Sequence, residues 1–339
     1  MIPTLNPRER GALVGLAVGD ALGTTQEFAT PKTAPLPTLL TGPQVDIVGG
    51  GPFSLVAGQT TDDTQMAICL AESLRARGRL DADDVARRYA AWSKVAFDIG
   101  RQTRQAMALI DDGATAAEAG RLVWQNADPT RRPAGNGSLM RSAPLATWLP
   151  EVSDEALTRA TLAESAITHF DPRCQLASAA FVASLRAGAR GGDGRAMWTA
   201  AEAGLRRAGR LLKEDEPALG EEINEAEAML IVDLDLAAAR SPELYSNQVN
   251  LLDHQGYVRV AFRLAYWHLV HTADWRAALL DVCNRGGDAD TNCAITGALL
   301  GARDGEHAIP AAWRDLVFGP LPTSLGVFAD AYHPRRLLG

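Results

Sequence analysis

Apolar residues recur at three- and four-residue spacing along most of the chain, the period of helices that bury one face. The spacing predicts helices over 64–77, 82–96, 100–112, 154–168, 173–189, 194–211, 219–239, 257–271 and 290–303, and an earlier one over the run Gly11-Ala-Leu-Val-Gly-Leu-Ala-Val18. Strand-type alternation is nearly absent. Three stretches break the pattern. Residues 30–58 carry Pro31, Pro35, Pro37, Pro43, Pro52 and the run Gly49-Gly50-Gly51, and read as a long ordered loop or a lid. The others are 128–137 and 241–256. None has the composition of a flexible linker. Residues 1–339 are therefore expected to form one compact, all-α, orthogonal multi-helix domain.

Glycines repeat at helical spacing in two places, Gly11, Gly15 and Gly19 near one end and Gly297 and Gly301 near the other. Each costs about 1 kcal/mol relative to alanine inside a helix. Repeated acceptance of that cost predicts close backbone approach to a neighbouring helix.

Composition narrows the functional classes. The chain has 339 residues, 47% of them hydrophobic and 22% charged, enough to build a large core. A net charge of −8 argues against non-specific nucleic-acid binding. No apolar stretch approaches the ~20 residues of a membrane span. The run after Arg8 and Arg10 is interrupted by Asp20 and reads as part of the fold rather than a signal peptide. Cys69, Cys174, Cys283 and Cys293 form no C-x-x-C pair and read as small buried hydrophobes. A cytoplasmic monomer is expected.

Two acidic clusters carry the chemistry. Thr61-Asp62-Asp63 and Asp288-Ala289-Asp290-Thr291 each lead directly into an apolar helix. Capping needs one Asp or Thr, yet each cluster offers two carboxylates and a hydroxyl. Adjacent carboxylates repel unless a cation neutralises them. Hard oxygen donors of this kind suit Mg²⁺, Mn²⁺ or Ca²⁺, not zinc.

These motifs resemble the ADP-ribosylglycohydrolase family, of the dinitrogenase-reductase-activating glycohydrolase type. The resemblance runs through Gly15-Leu-Ala-Val-Gly-Asp-Ala-Leu-Gly23 with Glu27-Phe28, Gly58-Gln-Thr-Thr-Asp-Asp-Thr-Gln-Met66 and Asn284-Arg-Gly-Gly-Asp-Ala-Asp-Thr-Asn292. It implies an all-α fold around a central pair of divalent cations, Mg²⁺ or Mn²⁺, held by Thr61, Asp62, Asp63, Asp288, Asp290 and Thr291. It also implies a hydrolase that releases ADP-ribose from a modified protein.

Other motifs fill in the ligand. Ala134-Gly-Asn-Gly-Ser-Leu-Met-Arg141 is a glycine turn entering a helix, suited to presenting amides and the Ser138 hydroxyl to phosphate. In the family the matching segment cradles the diphosphate, which places Gly135, Asn136, Gly137, Ser138 and Met140 at the substrate. Arg141 either adds charge or is structural. His169 and Tyr257 are expected to line the same pocket. Asp98, in Asp98-Ile-Gly100, resembles the motif of the arginine-specific subgroup, with Gly100 beside the ligand; a carboxylate there pairs bidentately with a guanidinium. Asp98 and Glu27 are the catalytic candidates, and the residues leave open which is the general base. The expected reaction is cleavage of the N-glycosidic bond of ADP-ribosylated arginine. Rival readings are another ADP-ribose linkage, O-linked serine or a small-molecule guanidine, and a non-catalytic ADP-ribose-binding relative.

Overall fold

The computed structural model describes residues 4–32 and 34–339. Fourteen α-helices follow one another: α1 Pro7–Gly23, α2 Asp62–Arg77, α3 Ala82–Ser93, α4 Arg101–Asp111, α5 Ala116–Gln125, α6 Ala143–Trp148, α7 Asp154–Ala166, α8 Pro172–Ala189, α9 Gly194–Asp215, α10 Gly220–Ala238, α11 Val258–His271, α12 Trp275–Asn284, α13 Ala289–Asp304 and α14 Ala311–Val317. Among the described residues β-structure is limited to three isolated bridges. The molecule is all-α, and its buried apolar side chains form one continuous core from Leu5 to Leu337.

Local signals fix the helix ends. Asn6 caps α1 in a capping box with Glu9. Asp81, Ser153, Asp193 and Asp274 cap α3, α7, α9 and α12 through their side chains. Gly78 ends α2 in a left-handed conformation.

The glycines assemble the centre. A Cβ at Gly11 would lie 2.2 Å from the Gly301 carbonyl oxygen, at Gly15 2.1 Å from that of Gly297, at Gly19 2.2 Å from that of Cys293, and at Gly23 2.3 Å from that of Ala289. As the numbers rise on α1 they fall on α13, so the two helices run antiparallel with their backbones touching. This seam sets the C-terminal end of α1 beside the N-terminal end of α13, where the second acidic cluster begins.

The described residues of 30–58 behave as the ordered loop of the two readings offered for them. Asp281 accepts from the Leu40 amide (2.7 Å), Asn284 from the Gln44 amide (2.8 Å), and Arg285 donates to the carbonyls of Ala34 (3.0 Å) and Thr38 (3.1 Å). The segment is pinned to α12 and contributes nothing to the wall of the pocket described next.

Candidate active site

α2 begins at Asp62 after Thr61, but the Thr61 side chain makes no cap. Asp20 on α1 does this instead. Its carboxylate accepts from the Thr61 amide (3.0 and 3.1 Å), the Thr64 amide (3.1 Å), the Thr61 hydroxyl (2.9 Å) and the Thr64 hydroxyl. A helix capped from outside leaves its own acidic residues free. The one cap that α2 needs therefore comes from α1 and not from its own Thr61-Asp62-Asp63 cluster. At α13, Asp288 makes no side-chain cap either, and only Asp290 keeps a share, accepting from the Thr291 amide at 2.9 Å.

Seven carboxyl groups gather here: Asp20, Glu27, Asp62, Asp63, Asp98, Asp288 and Asp290. Burial is the largest cause of every shift, and all are upward. Glu27 is pushed up to about 9, with the charges of Asp98, Asp288 and Asp20 adding to burial. Asp98 rises to about 7 through burial and then Asp288 and Asp20. Asp20 reaches about 6, held down by the four groups that donate to it. Asp62, Asp63 and Asp290 rise well above the usual carboxylate range through burial and then the nearest charges, Asp98 for Asp62, Asp20 for Asp63 and Glu27 for Asp290, and Asp288 rises through burial.

The donor set fits a hard divalent cation. The Thr61 hydroxyl lies 2.9 Å from Asp20, 3.2 Å from Asp63 and 3.4 Å from Asp290, three acceptors for one proton. The Thr291 hydroxyl adds a contact of 3.3 Å to Asp63. Asp63 Oδ1 and Glu27 Oε2 are buried with no donor among the described residues. Such orphaned acceptors are costly unless something cationic satisfies them. The tightest convergence is of Glu27, Asp98 and Asp290, each with an oxygen within 4.8 Å of the others. Glu27 and Asp98, expected as catalytic groups apart from the ligands, thus share an oxygen cage with one of them.

Above this floor opens a cavity of about 510 Å³. Its walls include Glu27, Asp62, Asp98, Gly100, Gly135, Asn136, Gly137, Met140, His169, Tyr257, Asp288, Asp290 and Thr291, so most of the predicted site residues face one space. Thr61 and Asp63 lie beneath it, fully buried. Asp98 caps nothing, because α4 starts after Gly100 without a side-chain cap.

Three expectations about the glycine turn change. Ser138 does not reach the cavity: its hydroxyl is fully buried, accepting from Ser165 (2.8 Å) and facing Ser178 (3.3 Å). Asn136 turns its side-chain amide to Asp288 (2.6 Å), bracing that carboxylate. Two turn amides are already committed, Gly135 N–H to Gln102 Oε1 (2.8 Å) and Asn136 N–H to the Gly256 carbonyl (2.9 Å). Arg141 is structural, buried against Glu164 at 2.7 Å with its guanidinium over the Tyr89 ring.

His169 packs against this turn. A Cβ at Gly135 would meet its Nε2 at 3.1 Å and one at Gly137 at 3.0 Å. Nδ1 pairs with the Thr168 hydroxyl at 2.7 Å. Burial, then the nearby Arg141, pushes the imidazole down to about 3, so it is neutral at physiological pH. Tyr257 joins the turn through a backbone bridge to Gly135, and its hydroxyl accepts from Arg173 at 3.3 Å.

Sequence reading passed over Asp20, Gln102, Phe28, Gln248, His254 and Gln255. The last five line the cavity. Asp20 and Phe28 lie inside motifs already singled out, but nothing in their spacing marks a role.

Comparison with known proteins gives the class. The ADP-ribosylglycohydrolase family model matches residues 1–337, and the chain belongs to that family. It is 30% identical over 320 residues to ADP-ribosylarginine hydrolase Tri1 of Pseudomonas putida, covering 91% of this chain and 74% of that protein. It is 32% identical over 314 residues to the ADP-ribosyl-[dinitrogen reductase] glycohydrolase of Rhodospirillum rubrum, covering 92% and 90%. A solved structure described as an ADP-ribosylglycohydrolase-related protein complex superposes with a TM-score of 0.68 at 28% identity, over 98% of both chains.

Proposed function

We propose that this chain hydrolyses the N-glycosidic bond joining ADP-ribose to an arginine side chain of a protein, returning free ADP-ribose and unmodified arginine. The observation that carries this reading is the placement of Asp98 and Glu27 beside Asp290 on the floor of a cavity walled by the glycine turn. Relatives whose names specify arginine and dinitrogen reductase support it.

Thr61, Asp62, Asp63, Asp288, Asp290 and Thr291 would hold two divalent cations, Mg²⁺ or Mn²⁺, with Glu27 and Asp98 within reach. When bound, these ions neutralise the floor and supply Lewis acidity toward water and ribose hydroxyls.

The chain's own groups account for the rest. The turn at 133–137, the neutral His169 and the ring of Tyr257 form the wall for the ADP portion. Arg101, on the same wall, offers the diphosphate a guanidinium. Asp98 pairs with the guanidinium that carries the ribose. As the carbon–nitrogen bond breaks, positive charge develops on the sugar, and a carboxylate floor stabilises it electrostatically. The water that adds to the anomeric carbon gives its proton to a carboxylate, Glu27 or Asp98, and the departing guanidine recovers a proton.

Replacement of Asp62 or Asp290 by alanine is expected to lower ADP-ribose release from an arginine-modified protein by about 100-fold or more, the scale of losing an electrostatic catalytic group. Unchanged turnover in both variants would falsify the mechanism. Mass spectrometry of defined arginine- and serine-modified peptides separates the linkages in the same assay.

A further inference from the structure

Phe28 is the only exposed phenylalanine, tyrosine or tryptophan among the described residues, 55% exposed on the rim of the cavity. Its backbone is unusual. The Ala29 amide donates to the Gln26 carbonyl at 3.0 Å, closing a tight turn. Glu27 has φ −58° and ψ 135°, and Phe28 has φ 60°. These are the angles of a type II turn with Phe28 in the position that normally demands glycine. A bulky side chain there is strained, and such strain marks functional positions. The ring buries too little to explain its presence by folding.

The turn is also fixed in place. The Phe28 amide donates to the Gly287 carbonyl (2.7 Å), and the Gly287 amide donates to the Ala29 carbonyl (2.8 Å). This staples the ring's backbone to the residue before Asp288. The preceding residue, Glu27, reaches into the carboxylate cage with Asp98 and Asp290. Phe28 therefore stands at the carboxylate end of the cavity, where the proposed function puts the glycosidic bond. What emerges there is the group attached to the sugar.

We infer that Phe28 is a specificity residue for that leaving group: its ring covers the guanidinium-bearing side chain of the substrate while Asp98 pairs with it. The inference rests on the arginine reading above. An aromatic face over a guanidinium is a favourable cation–π contact, and ADP-ribose alone has nothing to place there.

The test compares Phe28→Gly and Phe28→Tyr with the native enzyme, using two probes. One is an arginine-ADP-ribosylated protein, for KM; the other is free ADP-ribose, for Kd by calorimetry. In Phe28→Gly, KM for the conjugate should rise about 5-fold, more than kcat changes, while Kd for ADP-ribose stays the same. Phe28→Tyr should restore KM. The melting temperature of Phe28→Gly should not fall, because glycine relieves the turn. An unaltered KM, or a parallel loss of ADP-ribose affinity, overturns the inference. So does a fall in melting temperature that Phe28→Tyr repairs while KM stays constant. If the native enzyme binds ADP-ribose but leaves the arginine conjugate intact, the proposed function itself falls and takes this inference with it.

Discussion

At the scale of single residues, the site is held by side chains that touch the ligand's surroundings rather than its reacting atoms. Gln102 is the clearest. Its Oε1 takes the Gly135 amide (2.8 Å) and its Nε2 donates to the Pro133 carbonyl (3.3 Å), so one side chain pins the start of the turn at two points. Gln102→Met keeps the length and removes both bonds. An orphaned buried amide costs roughly 1–3 kcal/mol, so ADP-ribose affinity should fall about 10-fold. Calorimetric titration checks this, and an unchanged Kd would mean the turn holds its shape without Gln102. The two acidic clusters were legible in the sequence because each is contiguous and carries more oxygens than a cap requires. Gln102 and Asp20 were not, because their partners lie 33 and 41 residues away. Ser138 misled for a related reason. A hydroxyl beside a glycine turn looks aimed at phosphate until the helix carrying Ser165 packs over it.

At the scale of elements, the α1–α13 seam governs the geometry of the floor. The glycines that allow it leave no room for a methyl group. Gly297→Ala would place a Cβ 2.2 Å from the Gly15 carbonyl oxygen, a backbone atom that cannot swing away. Overpacking of this kind costs about 1–3 kcal/mol and sometimes more. Chemical denaturation should show that loss, with divalent-cation affinity falling alongside it. Stability equal to the parent would show that the helices can part without consequence. The seam was readable from glycine spacing. So were the helices with one exposed face, such as α4, α9 and α10, most of them to within a few residues. α5, α6, α12 and α14 were not, since six to ten residues give too few turns to display a period. The pinning of residues 34–44 was equally hidden, because it depends on Asp281, Asn284 and Arg285 reaching back from the far end of the chain.

At the scale of the whole molecule, one buried site concentrates acidic groups in a chain whose net charge is already −8. Each of these carboxyls binds its proton more tightly folded than unfolded. Its contribution to stability is complete below the unfolded value of about 4 and is lost as pH rises through the folded value. Those values are about 6 for Asp20, about 7 for Asp98 and about 9 for Glu27. In chelator, the melting temperature should therefore decline between roughly pH 5 and pH 9. Saturating Mg²⁺ or Mn²⁺, which binds the folded state, should reverse most of the decline. A melting temperature that climbs with pH in chelator would contradict this account. The seam between α1 and α13 also sets a schedule for biosynthesis. At ordinary elongation rates Gly11 and Gly301 leave the ribosome on the order of tens of seconds apart. Through that interval α1, buried from Gly11 to Gly23 in the finished protein, is an apolar segment without its partner. Asp20 and Glu27 wait without Asp288 and Asp290. A nascent chain has no binding site to offer, and the pocket comes into being only when α13 closes on α1.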